Sequence, residues 1–190
     1  MSKTNYFDSL ERLSVLSSRA VFLSCSPPRS SVPCEILGIR RSSDLILCEL
    51  ESALFSDFMP PLDRAGISAV AHGLCRIIER CGEIASYRCG KNAFTERKSK
   101  EAELCIRLSR LVEDTVSRLR RVKRPDELPD LVGFRRLLCE AQSAHELLQR
   151  KLCSGAYPRS ALHSLCLICA LRRELSHTFD ILVEVMLENV

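Results

Sequence analysis

Hydrophobic residues recur along most of the chain at alternating steps of three and four residues, the spacing that keeps side chains on one face of an α-helix. The clearest run contains Ile67, Val70, Leu74, Ile77, Cys81 and Ile84. A second run contains Leu131, Phe134, Leu138, Ala141, His145, Leu148 and Leu152. A looser third run contains Ile168, Leu171, Leu175, Phe179, Leu182 and Met186. Such narrow apolar stripes are typical of helices packed nearly parallel in a bundle, at about 20°.

The pattern predicts an all-α fold. No convincing stretch alternates apolar and polar residues with the β-branched enrichment of a strand. Proline, glycine and capping residues divide the chain into six predicted helices, at about 4–24, 35–57, 63–89, 94–122, 126–153 and 158–188.

The boundaries of these helices depend on local signals. Segment 24–33 is rich in proline and serine, which predicts a loop. Asp63 follows Pro60 and Pro61, which predicts an N-cap for the third helix. The other boundary signals are Gly90 with Asn92, Pro125 with Asp126 and Glu127, and Gly155 with Pro158.

The six predicted helices divide into two similar halves. In each half a proline-containing turn, 58–64 or 155–160, precedes the long third helix. An internal duplication of three-helix units follows, with repeats at about 1–91 and 92–190 inside a single domain of 190 residues.

Composition and charge narrow the class of protein. Hydrophobic residues make up 46% of the chain, enough for a sizeable core, and the net charge of +4 is too small for a dedicated nucleic-acid binder. No apolar run approaches the roughly 20 residues of a membrane span. The first ten residues do not resemble a signal peptide. We therefore expect a cytoplasmic protein without a nucleic-acid partner.

The chain contains eleven cysteines. An odd number without a secretion signal argues against a disulfide framework and favours a reducing compartment. Five cysteines lie in segments where apolar residues recur at the helical period, and we predict that they pack as small hydrophobic residues. These are Cys48, Cys75, Cys81, Cys139 and Cys166. Cys166 and Cys169 form a CxxC pair within a predicted helix. Since no second pair accompanies it, two packed or partly exposed thiols are favoured over a metal or redox site.

Other candidate chemistry is sparse. There is no glycine-rich phosphate loop, and no serine, histidine and acid can be grouped into a triad, so we expect no catalytic activity. His145 lies on the apolar stripe of the fifth predicted helix, where a core histidine bonded to a neighbour is favoured over a ligand or catalyst.

A basic run ends the fourth predicted helix, at Arg118, Arg120, Arg121, Lys123 and Arg124. Basic residues at a helix C-terminus complement the helix dipole, so a solvated helix end is one interpretation. The functional interpretation is a patch that contacts an anionic membrane surface or an acidic face of a permease.

The turn Phe58-Met-Pro-Pro-Leu-Asp-Arg64, followed by Ile67, resembles the Phe-x-Thr-Pro-φ-Asp-Arg-x-Asp-Ile turn of PhoU-like proteins, where φ is apolar. Pro60 replaces the usual threonine, and Gly66 replaces the second aspartate. Segments 5–8, 124–128 and 180–189 also resemble the branch found beside Pit-type inorganic phosphate permeases. The resemblance covers almost the whole chain and implies two three-helix bundles.

Members of this family are described as binding iron or zinc clusters through Glu/Asp-x-x-x-Asp motifs on the second and third helices of each repeat. The resemblance places these motifs at Arg40 with Asp44, Cys75 with Glu79, Leu138 with Gln142, and Cys169 with Arg173. No motif keeps both acids, and the second repeat keeps none.

A guanidinium at a ligand position repels a cation, by roughly 4 kcal/mol per unit charge pair at 4 Å and an effective dielectric constant of 20. We therefore expect no metal cofactor, and we predict that Arg40 pairs with Asp44 and with Glu79. Iron or zinc at the residual acids Asp44 and Glu79 stays an alternative, as does a softer site that uses Cys75 and Cys169.

The resemblance implies a non-catalytic accessory or regulatory protein of inorganic phosphate transport that acts through contacts with a permease or sensor. Peripheral contact with the inner face of the membrane and a homo-oligomer stay open. The alternatives are a metal-cluster-binding PhoU-like protein, which uses residual acids or cysteines, and a generic helical scaffold.

Overall fold

The computed structural model describes residues 6–27, 29–56, 62–89, 100–121, 129–155 and 159–188. These residues form six helices and no strand, which confirms the predicted all-α class. The helices are α1 (Tyr6–Cys25), α2 (Val32–Ser56), α3 (Arg64–Arg88), α4 (Lys100–Arg118), α5 (Leu131–Cys153) and α6 (Arg159–Leu187). None of these helices is long and apolar enough to span a membrane.

Four helices form the centre of the bundle. These four pack as a closed ring, with α1 on α3, α3 on α6, α6 on α4, and α4 on α1. α2 lies outside against α1 and α3, and α5 lies outside against α4 and α6. Exchanging α1, α2 and α3 for α4, α5 and α6 leaves this set of packed pairs unchanged. This topology agrees with the division into two repeats, which stays a prediction.

The apolar stripes of α3 and α6 form the core as predicted. Every residue of the α3 run from Ile67 to Ile84 is at most 1% exposed, and the α6 run from Ile168 to Met186 is also buried. The stripe on α5 is only partly buried, with Leu131 39% exposed. The buried residues of α5 are Phe134, Leu137 and Ala141, because this outer helix packs only on α4 and α6.

Small residues let α3 and α6 approach closely. A Cβ atom at Gly73 would lie 2.8 Å from Thr178 Oγ1, and one at Gly66 would lie 2.8 Å from Val185 Cγ2. Larger side chains at these two positions would force the helices apart or shift the facing side chains. The glycines therefore keep α3 and α6 close together.

Helix boundaries depart from the predicted ones where a cap or a proline lies elsewhere than expected. α2 begins at Val32 rather than 35, and α1 continues to Cys25, so the loop is shorter than 24–33. Pro33 lies in the first turn of α2, where its missing N–H costs nothing. α4 ends at Arg118 rather than 122.

α5 begins at Leu131 rather than 126. Asp130 caps it, because its Oδ1 accepts a hydrogen bond from Gly133 N at 2.8 Å. The same arrangement confirms the predicted cap at Asp63, where Oδ2 accepts from Gly66 N at 3.0 Å. Gly155 follows the end of α5 with a φ of 76°, the left-handed conformation that favours glycine.

Several boundary signals lie outside the described residues. They are Pro60, Pro61, Gly90, Asn92, Pro125, Asp126, Glu127 and Pro158.

All eleven cysteines are free. Cys81 is buried and Cys75 is partly buried, as expected for small hydrophobes. The same prediction is wrong for Cys48, Cys139 and Cys166, which are exposed. These three lie beside the buried stripes of their helices rather than on them; on α6, for example, the buried neighbours of Cys166 are Leu165, Ile168 and Cys169.

Candidate functional site

The first pair of predicted motifs lies side by side on α2 and α3. Arg40 Nη2 donates to Glu79 Oε1 at 3.3 Å, and the two side chains are 53% and 50% exposed. The predicted pairing of Arg40 with Glu79 is therefore present. The predicted pairing with Asp44 is not, since Asp44 makes no ion pair within the described ranges. The guanidinium reaches across to α3 instead of along its own helix.

Cys75 lies among negative charges on the same face. Burial, together with the nearby carboxylates of Asp44 and Glu79, raises the pKa of its thiol to about 11. The thiol is consequently protonated at neutral pH. We call Arg40, Asp44, Cys75 and Glu79 the α2–α3 ionic face. Next to it, Glu51 Oε1 lies 2.9 Å from His72 Nε2.

The second pair of predicted motifs, on α5 and α6, does not gather into a site. Leu138 packs partly buried against the core. Gln142 Nε2 donates to Glu146 Oε1 at 2.8 Å, along its own helix. Cys169 is 9% exposed, and Arg173 is exposed to solvent.

A buried polar cluster beside Cys169 was not predicted as a unit. Glu101 on α4 and Arg172 on α6 are 1% and 8% exposed. Glu101 Oε1 lies 3.2 Å from His145 Nδ1 and 3.6 Å from Arg172 Nε. Arg172 also donates from Nη2 to Cys169 Sγ at 3.4 Å. His145 is partly buried, and its Nδ1 makes a hydrogen-bond contact with Glu101 Oε2 at 3.4 Å, so the predicted bond to a neighbour is present. We call Glu101, His145 and Arg172 the Glu101 cluster.

Burial dominates the electrostatics of the Glu101 cluster. It raises the pKa of Glu101 to about 7, although Arg172 opposes the rise. Burial also lowers the pKa of His145, and the positive charges of Arg172 and Arg173 lower it further. Near neutral pH, the cluster therefore contains a neutral imidazole, a guanidinium and a carboxyl group that is close to its titration point.

The helical period offered a signal for this cluster. Glu101 stands one heptad before the buried Leu108, and Arg172 stands one turn after the buried Ile168. A charged residue on an apolar stripe must find a partner or change its protonation state.

The basic run after α4 is partly neutralised. Arg118 Nη2 lies 2.7 Å from Asp114 Oδ2. Arg120 pairs with Asp8 and also lies 3.6 Å from Glu11 Oε1. Arg121 is exposed, and Lys123 and Arg124 lie outside the described residues.

The chain is similar in fold to solved structures, although its sequence matches no known family. No protein-family profile and no curated protein matches the sequence. A crystal structure of a PhoU-like protein from Shewanella oneidensis MR-1 is similar, with a TM-score of 0.64 and 14% identity over 97% of each chain. A second, described as a PhoU-like phosphate regulatory protein from the same organism, has a TM-score of 0.62 and 14% identity, covering 97% of this chain and 94% of the other. The chain has a PhoU-like fold.

The side chains on this PhoU-like fold do not fit the iron or zinc cluster that the resemblance implies. Such a cluster needs several converging, deprotonated donors. On the α2–α3 ionic face, Glu79 is bound by Arg40, and the Cys75 thiol is protonated. The α5 and α6 positions contain no carboxylate. Within the part of the chain that the structure describes, no three His, Cys, Asp or Glu side chains are placed to hold a metal ion.

Proposed function

We propose that the chain is a non-catalytic accessory or regulatory protein of inorganic phosphate transport that acts through protein–protein contacts. The observation that carries the proposal is the PhoU-like arrangement of helices over 97% of the chain, shared with a structure described as a phosphate regulatory protein. The Arg40–Glu79 ion pair supports a role without a metal cluster. The partner is a phosphate permease of the Pit type or a sensor, contacted from the cytoplasmic side.

The end of α4 is the surface that we assign to this partner. Arg120 is held by Asp8 and Glu11, so its role is to join α4 to α1. Arg121 is exposed, and Lys123 and Arg124 continue the positive charge along the sequence. An acidic face of a permease or an anionic lipid surface would attract this segment.

A charge-reversed variant tests the proposal. In cells that lack the chromosomal gene, phosphate uptake is measured after complementation with the wild type or with Arg121→Glu/Arg124→Glu. We expect the variant to lose complementation and to weaken co-purification with the permease by about tenfold or more, since each basic residue near an anionic surface contributes about 1 kcal/mol.

A matched control separates the patch from general charge. Arg107→Glu/Arg110→Glu makes the same charge change at exposed positions of α4, and we expect it to behave as the wild type. Normal phosphate uptake in the deletion strain would contradict the proposal. Stoichiometric iron or zinc that is lost in Asp44→Asn/Glu79→Gln would favour the metal-binding alternative.

A further inference from the structure

A cavity of about 520 Å³ lies between the first turn of α4 and one face of α5. Its volume falls in the range of about 300–1,000 Å³ that is typical of small-molecule sites. Ala144, Leu147 and Leu148 form an apolar wall along α5. Leu147 is 56% exposed, so this wall is accessible from solvent.

Three cationic side chains surround the apolar wall. They are Lys100 at the start of α4, and Arg136 and Lys151 towards the two ends of α5. None of the three makes an ion pair with a described residue. The neighbouring Arg135, by contrast, pairs with Asp180 at 2.6 Å. Among the described residues, therefore, no carboxylate neutralises these three cations, which suits them to bind an anion.

Two acids also line the cavity. Glu140 is exposed at its rim, and Glu101 is buried at its base. Glu101 Oε1 faces His145 Nδ1 and Arg172 Nε, and the Arg172 guanidinium offsets its charge. The net charge that the cavity presents is consequently positive.

We propose that the α4–α5 cavity binds one small amphipathic anion. Its apolar chain or ring packs on Leu147 and Leu148, and its carboxylate or phosphate group binds to Lys100 and Lys151 at one end of this wall. Arg136 lies about 22 Å from Lys151 along α5, too far to share the same head group. For a cationic ligand of the same shape, Glu140 is the one acid among the described lining residues that is not already paired. An anion without an apolar body leaves the α5 wall unused. This site is independent of the patch at the end of α4.

Calorimetric titration of the full chain with decyl phosphate, kept below its micelle concentration, tests the site. We expect one molecule to bind per chain. Lys100→Glu/Lys151→Glu is expected to weaken binding by about tenfold or more, because two attractive charges become repulsive. Leu147→Gln is expected to weaken it severalfold, because the apolar contact is lost.

Each variant has a matched control on α5. Arg150 neighbours Lys151 in the last turn of the helix but does not line the cavity. Arg150→Glu is therefore expected to bind within about twofold of the wild type, because solvent and salt screen an exposed charge that does not contact the ligand. Val132 is exposed outside the cavity, and Val132→Gln is the control for Leu147→Gln. Circular dichroism checks that each variant keeps its helix content.

Three further ligands separate the contributions of the head group, its charge and the apolar chain. Decanoate replaces the phosphate group by a carboxylate, and its binding relative to decyl phosphate assigns the preferred head group. Decyltrimethylammonium has the same chain with a positive charge, and inorganic phosphate has the charge without a chain; we expect neither to bind in the same concentration range. The proposal is overturned if either binds as tightly as decyl phosphate, or if Lys100→Glu/Lys151→Glu binds as the wild type does.

Discussion

The α2–α3 ionic face and the Glu101 cluster keep their charges in different surroundings. Arg40 and Glu79 are about half exposed, whereas Glu101 is 1% exposed beneath α5. Water screens the first pair, and exposed ion pairs contribute about 0–1 kcal/mol. In the second, loss of one partner leaves a buried charge uncompensated. The positions that the family resemblance identifies are therefore not those where charge matters most to the stability of this chain.

The largest expected effect is at Arg172. We expect Arg172→Met to lower the free energy of unfolding by about 3–5 kcal/mol at pH 8, because the buried Glu101 must then either stay ionised without its cation or bind a proton. Urea denaturation at pH 8 measures the loss. Arg173→Met is the matched control, since the neighbouring side chain is exposed and its replacement should change stability by at most about 0.5 kcal/mol. Equal losses in the two variants would contradict the buried-pair interpretation.

The second effect is the pH dependence that Glu101 confers. Burial raises its pKa from 4.5 to about 7 in the folded chain, so the folded state binds this proton more tightly than the unfolded state. The associated stability is fully present below about pH 4.5 and is lost as the pH rises through about 7, with a size on the order of 3 kcal/mol.

Comparison with Glu101→Gln isolates this dependence. The unfolding free energies of wild type and Glu101→Gln are compared from pH 5 to 8. As the pH rises, the wild type should become less stable relative to Glu101→Gln. His145 has a lowered pKa and acts in the opposite direction, but it is present in both chains. Glu103→Gln, at an exposed position of α4, should show no such trend. A difference that is flat with pH would refute the role of Glu101.

The smallest expected change in stability is at the exposed α2–α3 ionic face. We expect Arg40→Ala to change the free energy of unfolding by less than about 1 kcal/mol, and added salt to reduce the change further. The same urea denaturation measures it. A loss above about 2 kcal/mol would show that the α2–α3 ionic face behaves like a buried network and would remove the contrast.

The sequence predicted the fold better than it predicted the site. The 3-4 spacing located the buried faces of α3 and α6 residue by residue, because a helix keeps its period along the chain. It could not place Glu101 beside Arg172, because the two lie on different helices and no local spacing connects them. Similarly, the exposed Cys139 and Cys166 lie in apolar segments, so composition alone assigned them to the core.

The close approach of α3 to α6 has a consequence for the history of such a chain. Under the predicted duplication, α3–α6 and α1–α4 each join a helix to its own counterpart, as in a twofold-symmetric dimer. A single-copy ancestor would then have needed a second molecule to cover the same surface. Under the same prediction, fusion into one polypeptide would have let the two sides diverge, with Gly73 small on one side and Thr178 filling the facing space on the other.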